Sequence, residues 1–245
     1  MGNIESGTQA SIAAASTANG IPFVHFSADE LKQELSQHPE ADFKLFRESW
    51  NSLPVDDFTK GSVAYRYRRY SALRLDGENL TKEPHAAFYQ SAQINPVHGG
   101  AQRLFSPVAE NIVGSALLQS LVHTFLDRLP GSFYRGTAGI GIHQIRIIAH
   151  RGRVGLPTPE GIHEDGHHFV AQVLIHREGI EGGESQLYDR ERQPLYRTTL
   201  VEPFETIIID DRRVFHGVSA IQPSRGISLG VRDMLLVDFF PRENG

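Results

Sequence analysis

Residues 159–169 read Pro-Glu-Gly-Ile-His-Glu-Asp-Gly-His-His-Phe and contain two overlapping sets of metal-ligating side chains. His163, Glu164 and His167 follow the H-E-x-x-H order, in which two histidines one helical turn apart bind zinc and the glutamate polarises a metal-bound water. That arrangement needs a helix, because only there do residues i and i+4 lie on one face. Here the string follows Pro157, Pro159 and Gly161, holds Asp165 and Gly166 in its interior, and runs into the β-type stretch 169–176. Each of these features disfavours helix. His163 and Asp165 by themselves ask only for an extended segment, in which alternate residues project to the same side, with Gly166 permitting a turn after them.

Two histidines and one carboxylate on one face of a metal leave positions open for a bidentate 2-oxo acid and dioxygen together. The third ligand would be a distant histidine, and His216 lies in an apolar β-like run 51 residues beyond Asp165. A 2-oxo diacid also needs a cation for its far carboxylate. Arg232 sits inside the apolar run 231–240, where a lone guanidinium is costly unless a carboxylate pairs with it; Arg225, in a turn, is the second candidate. Plainer readings stand beside each residue. An isolated H-x-D arises by chance, His216 suits a hydrogen-bonded core, and Arg232 could pair with Asp233 or Asp238. What favours the metal reading is all the residues in order within one β-rich half.

The surrounding sequence supplies elements to position them. Ser27 is a plausible cap for a short helix with Leu31 and Leu35 on one face, and a second helix runs from about Phe43 to Trp50. Residues 62–75 favour a strand that carries Arg66, Arg68 and Arg69, either a solvated face or an anion site near the cavity. Apolar positions from Val108 to Leu129 recur at helical intervals and predict one supporting helix between Ser106 and Leu129, stopped by Pro130-Gly131. From about 140 to 240 short β-type runs alternate with turns, the pattern of a β-sandwich or barrel, of which a jelly roll is one solution. Residues 1–20 are small and polar and predict a flexible arm, with one domain over 21–245. There is no cysteine, so any metal must be held by His and carboxylate, and twelve histidines are available. A net charge of -5 argues against nucleic acid and anionic membranes as partners. No leader or membrane span stands out, which points to the cytoplasm.

The strings 143–170, 181–189, 207–223 and 231–240, with the upstream 65–73 and 95–107, resemble the bacterial iron(II)/2-oxoglutarate dioxygenases of the L-isoleucine dioxygenase group, which hydroxylate free or N-substituted amino acids. The resemblance implies a mainly β protein with flanking helices, a cupin-like double-stranded β-helix (jelly roll). It makes His163, Asp165 and His216 the iron ligands and Arg232 the 2-oxoglutarate anchor. The implied activity is hydroxylation of an unactivated C–H bond of an L-amino acid or derivative, with Fe(II), 2-oxoglutarate and O2 consumed to give succinate and carbon dioxide. A small molecule is the expected partner, and a homo-oligomer is compatible with the sequence. Gln144 and Arg146 share one strand face that could wall the cavity, with Arg146 either holding a substrate carboxylate or pairing with an acidic residue. The chain departs from the family after Gly166, where His167 and His168 stand in place of an expected small apolar and an acidic residue; His168 is a candidate substrate contact. A zinc hydrolase built on His163, Glu164 and His167, and a non-catalytic cupin-like binder of small acids, are the alternatives.

Overall fold

The computed structural model describes residues 20, 22–59, 64–95, 99–131, 133 and 137–242. The expected N-terminal arm, except Gly20, lies outside the described residues.

The chain begins with β1 (Phe23–Phe26) and α1 (Ala28–Glu34). Ser27 caps α1 through a complete capping box: its hydroxyl accepts from the Glu30 N–H while the Glu30 carboxylate accepts from the Ser27 N–H. Next come α2 (Glu40–Glu48), which tightens into a 3-10 turn over Ser49–Ser52, and β2 (Arg66–Asp76), β3 (Asn79–Lys82), β4 (Phe88–Tyr89) and β5 (Gln102–Arg103). The single helix expected between Ser106 and Leu129 is two, α3 (Glu110–Val113) and α4 (Ala116–Leu126). The break falls at Gly114-Ser115, where the Ser115 hydroxyl accepts from the Leu118 N–H and restarts the helix. Apolar periodicity runs through the break because both pieces bury the same side, so the pattern alone hid it. The remaining strands are β6 (Thr137–His150), β7 (Phe169–Glu178), β8 (Ile180–Gly182), β9 (Glu184–Tyr188), β10 (Pro194–Thr199), β11 (Thr206–Asp210), β12 (Phe215–Val218), β13 (Ile221–Pro223) and β14 (Leu229–Pro241).

Seven strands pair antiparallel in the order β1-β11-β7-β14-β6-β2-β3. Facing them are the smaller sheets β10-β9-β12 and β13-β8, completing a jelly roll. The large sheet is buried on both sides. Its outer face meets the helices, with Leu31, Phe46, Trp50, Leu121 and Phe125 packed against Ile140, Ile142, Val237 and Phe239. The Trp50 indole N–H is shared between the carbonyls of Ile145 and Met234, at 3.3 Å each, which ties the helical layer to neighbouring β6 and β14. Its inner face meets the small sheets in two apolar clusters, Val170, Leu174, Ile207 and Met234 with Leu187, and Ile145, Ile147 and Ala149 with Ile180 and Ile221. The cavity opens between these clusters. None of the described helices is long and apolar enough to cross a membrane.

Candidate metal centre and its cavity

The stretch around His163 contains no helix. His163 forms a bridge to His216 on β12, each backbone N–H donating to the other's carbonyl at 2.9 and 2.8 Å, so residues far apart in sequence become neighbours across one ladder step. Their rings tilt against one another with centroids 4.4 Å apart. Asp165 enters between them, Oδ1 lying 3.5 Å from His163 Nε2 and Oδ2 3.3 Å from His216 Nε2. One ligand atom from each of the three residues falls within 4.8 Å of the others.

The loop that presents Asp165 is fixed by a second carboxylate. Asp211, just after β11, accepts the N–H groups of Asp165 (3.0 Å), Gly166 (2.8 Å) and His167 (3.1 Å). Gly166 makes that concave run of amides with φ +83°, a left-handed conformation costly for other residues. His163 Nδ1–H donates to the Gly161 carbonyl at 3.0 Å, which leaves Nε2 as the lone pair directed at the centre. Gln172 Nε2 lies 3.1 Å from His216 Nδ1, a side-chain contact that fixes the orientation of the ring.

These donors fit a divalent cation. Nε2 of His216 is buried without a hydrogen-bond partner at the shared point, and a bound cation would take the place of its proton. Burial works against ionisation of Asp165, yet the charge of His216 and its contacts with both rings outweigh it and hold the carboxyl well below the usual range. Imidazole and carboxylate without thiolate suit non-haem iron.

The cavity continues from the triad along the inner faces of β14, β6 and β2. Arg232 reaches into it fully buried, with Nε and Nη2 unpartnered. Burial, with Arg177 nearby, pulls its guanidinium down to about 10, so it remains a cation at neutral pH that lacks its anion. Asp233 and Asp238 are both engaged elsewhere. Met234, Leu236, Ile145, Ile147 and Val218 supply apolar wall.

The other residues singled out from sequence lie elsewhere. Strand alternation on β6 turns His143, Ile145 and Ile147 toward the cavity, so Gln144 and Arg146 face the helices. Gln144 donates to the Ser49 hydroxyl at 2.7 Å, and Arg146 forms a two-pronged pair with Asp233 at 2.7 Å for each bond. Sequence placed these two on one face correctly but on the wrong side of the sheet, which periodicity cannot distinguish when both faces are buried. Arg225 lies exposed in a turn, in a separate surface depression beside His150 and Arg151. His168 rests its ring near Phe133, 5.7 Å between centroids, outside the cavity lining. The zinc-hydrolase arrangement does not form: Glu164 pairs with Arg190 at 2.6 Å, and His167 turns to Asp238 at 3.2 Å. In the basic run on β2, Arg66 and Arg68 line the cavity while Arg69 donates to backbone carbonyls of Pro107 and Ser52. Glu160, Gln172 and Asp211 carried no sequence signal of their own, although Glu160 stands inside the quoted motif.

A family model described as 2OG-Fe dioxygenase matches residues 47–238. The chain is 25% identical over 198 residues to an L-isoleucine-4-hydroxylase of Bacillus thuringiensis, spanning 77% of this chain and 79% of that protein. Its fold is similar to the crystal structure of a bsmA homolog from Methylobium petroleophilum, with a TM-score of 0.77, 31% identity, and coverage of 89% of this chain and 88% of that one. It is also similar to the structure of IDO from Bacillus thuringiensis, with a TM-score of 0.76, 22% identity, and coverage of 93% and 97% respectively; at that identity the likeness speaks for the fold.

Proposed function

The chain belongs to the 2OG-Fe dioxygenase family, and from that premise we propose that it hydroxylates an unactivated C–H bond of an L-amino acid or amino-acid derivative while 2-oxoglutarate is converted to succinate and carbon dioxide. It is an oxidoreductase that uses Fe(II), 2-oxoglutarate and O2. The observation that carries the finer reading is the juxtaposition, in one cavity, of the His163–Asp165–His216 cluster and the buried, unpaired Arg232. The amino-acid substrate class is also supported by the relative that is an L-isoleucine-4-hydroxylase. We take residues 21–245 as one catalytic domain.

In this reading His163, Asp165 and His216 hold the iron and Arg232 receives the far carboxylate of 2-oxoglutarate. When bound, iron(II) supplies the activation of dioxygen, a redox task for which the chain has no side chain. The protein's own contribution is placement. Asp211 holds the Asp165 loop rigid through three residues' amides, the Gly161 carbonyl orients His163, and Gln172 orients His216. Arg232 would hold the far carboxylate of the diacid through the unpartnered Nε and Nη2 that it presents to the same cavity as the triad. The apolar residues of β6 and β14 exclude water from the space beside the metal, which suppresses side reactions during turnover.

The test is aerobic incubation of Fe(II)-reconstituted enzyme with 2-oxoglutarate and a panel of L-amino acids, with succinate and hydroxylated product quantified together. The reading expects stoichiometric, oxygen-dependent formation of both for at least one amino acid. Succinate without any hydroxylated amino acid across the panel would contradict the substrate assignment.

A further inference from the structure

2-Oxoglutarate accounts for one unpaired cation in the cavity, yet two more remain. Arg68 on β2 and Arg103 on β5 are 6% and 4% exposed, line the same space as the triad, and each has a buried Nε without a hydrogen-bond partner. Their remaining bonds go to neutral groups: Arg68 donates to His143 Nδ1 at 2.7 Å, and Arg103 donates to the Gln90 side-chain oxygen at 2.6 Å. Among the described residues neither forms an ion pair. The acidic groups closest in influence are already engaged, Asp56 with Arg66 at 3.3 Å and Asp238 with His143 at 2.6 Å. Phe88 and Phe105 stack on both guanidinium groups, Arg68 lying 4.3 Å from the Phe105 centroid and Arg103 5.0 Å from that of Phe88, which holds their planes in place. Burial drives the Arg68 guanidinium down to about 9, a measure of how poorly the site compensates its charge. Buried cations left unpaired are expensive, and sites tolerate them where a ligand brings the counter-charge.

The opposite charge is also present, with one of its oxygens unmatched. Glu160 lines the cavity with Oε2 buried and unpartnered, while Oε1 lies 3.3 Å from His163 Nε2. Its field reaches Arg103, although the two are not hydrogen-bonded. A cavity lined by two buried guanidinium groups without a carboxylate partner, and by a carboxylate with one unpartnered oxygen beside the metal ligands, is complementary to a small dipolar molecule. We propose that Arg68 and Arg103 receive the carboxylate of the primary substrate and Glu160 its ammonium group, so that the enzyme selects free α-amino acids over N-acylated or C-amidated ones. This rests on the dioxygenase reading above and adds the form in which the amino acid is bound.

The test is anaerobic calorimetric titration of the Fe(II)- and 2-oxoglutarate-loaded enzyme with the aliphatic L-amino acids, each compared with its N-acetyl and primary amide derivatives. At least one free amino acid should bind, with both derivatives weaker by about tenfold or more, as expected for losing a charge-assisted hydrogen bond. Arg103→Gln should close most of the gap between acid and amide while leaving the gap to the N-acetyl form, and Glu160→Gln should do the reverse. Both variants should keep the visible absorption of the iron–2-oxoglutarate complex, which also reports that they fold; if Arg103→Gln does not fold, the derivative series on wild type decides. Equal binding of the N-acetyl or amide form, or no amino-acid binding by enzyme that shows the absorption, overturns this inference and leaves the dioxygenase reading standing. Loss of the absorption in Glu160→Gln makes Glu160 part of the metal site and overturns its assignment to the ammonium. Lack of the absorption in wild type removes the dioxygenase reading and this inference with it.

Discussion

Asp211 shows how much of the centre depends on a residue that sequence inspection passes over. Its carboxylate gathers the N–H groups of Asp165, Gly166 and His167, and 1% exposure means water cannot replace it. Asp211→Ala removes the acceptor that gathers those donors and frees the Asp165 loop, so iron affinity should fall by about 10- to 100-fold, measured by Fe(II) titration under argon. His143 gives a second prediction at this scale. Burial, its largest influence, pushes the imidazole down to about 4, with Arg68 adding to the shift and Asp238 opposing it. The unfolded chain therefore takes up a proton near the ordinary value of 6.5 that the folded chain refuses until about 4. The stability that neutral His143 confers is complete above that ordinary value and is lost as pH falls through the window, at up to about 1.4 kcal/mol per pH unit. His143→Gln should flatten this part of the acid limb by about one proton in denaturation curves taken across the window. An unchanged slope would mean that His143 is protonated in the folded protein.

The elements differ in how clearly they were written. α1 was legible because its start is local chemistry, Ser27 and Glu30 satisfying each other's backbone donors. Ser27→Ala should cost about 1 kcal/mol in denaturant unfolding without changing iron binding. The long inner strands β6, β7 and β14 were visible from their apolar β-branched runs, whereas β1, β3, β8 and β10 were missed: short, exposed or edge strands depend on partners that single-sequence patterning does not contain. The break between α3 and α4 was missed for the related reason that burial, not periodicity, continues across it. Gly166 was legible as a turn, but its purpose was not: a Cβ there would meet the Ile94 side chain at 3.1 Å, in addition to the strain of its positive φ. Gly166→Ala should therefore loosen the same amides that Asp211 clamps and weaken iron binding, read by the same titration; affinity equal to wild type would show that the turn does not set the site.

At the scale of the molecule, the jelly roll brings His163, Asp165 and His216 together by pairing two segments across one bridge at the edge of the small sheet, beneath a large sheet stiffened by helices. Ligand order and spacing announced that centre in sequence because metal chemistry restricts residue types so tightly. The walls were harder to read. Gln144 and Arg146 point away and Arg68 lines the cavity because which face of a doubly buried strand looks inward is a property of the whole fold, and His168, Arg225, Arg103 and Glu160 lie outside the large sheet, where no periodicity fixes their positions. The most direct test of the account is anaerobic reconstitution with Fe(II) and 2-oxoglutarate, following the weak visible metal-to-ligand absorption in wild type, Asp165→Ala and Arg232→Ala. The band is expected in wild type and lost in Asp165→Ala, and 2-oxoglutarate should bind Arg232→Ala at least about tenfold more weakly, the effect of removing a buried ionic partner. A wild-type protein that binds iron but forms no band, or an Arg232→Ala variant that binds 2-oxoglutarate as tightly as wild type, would contradict it.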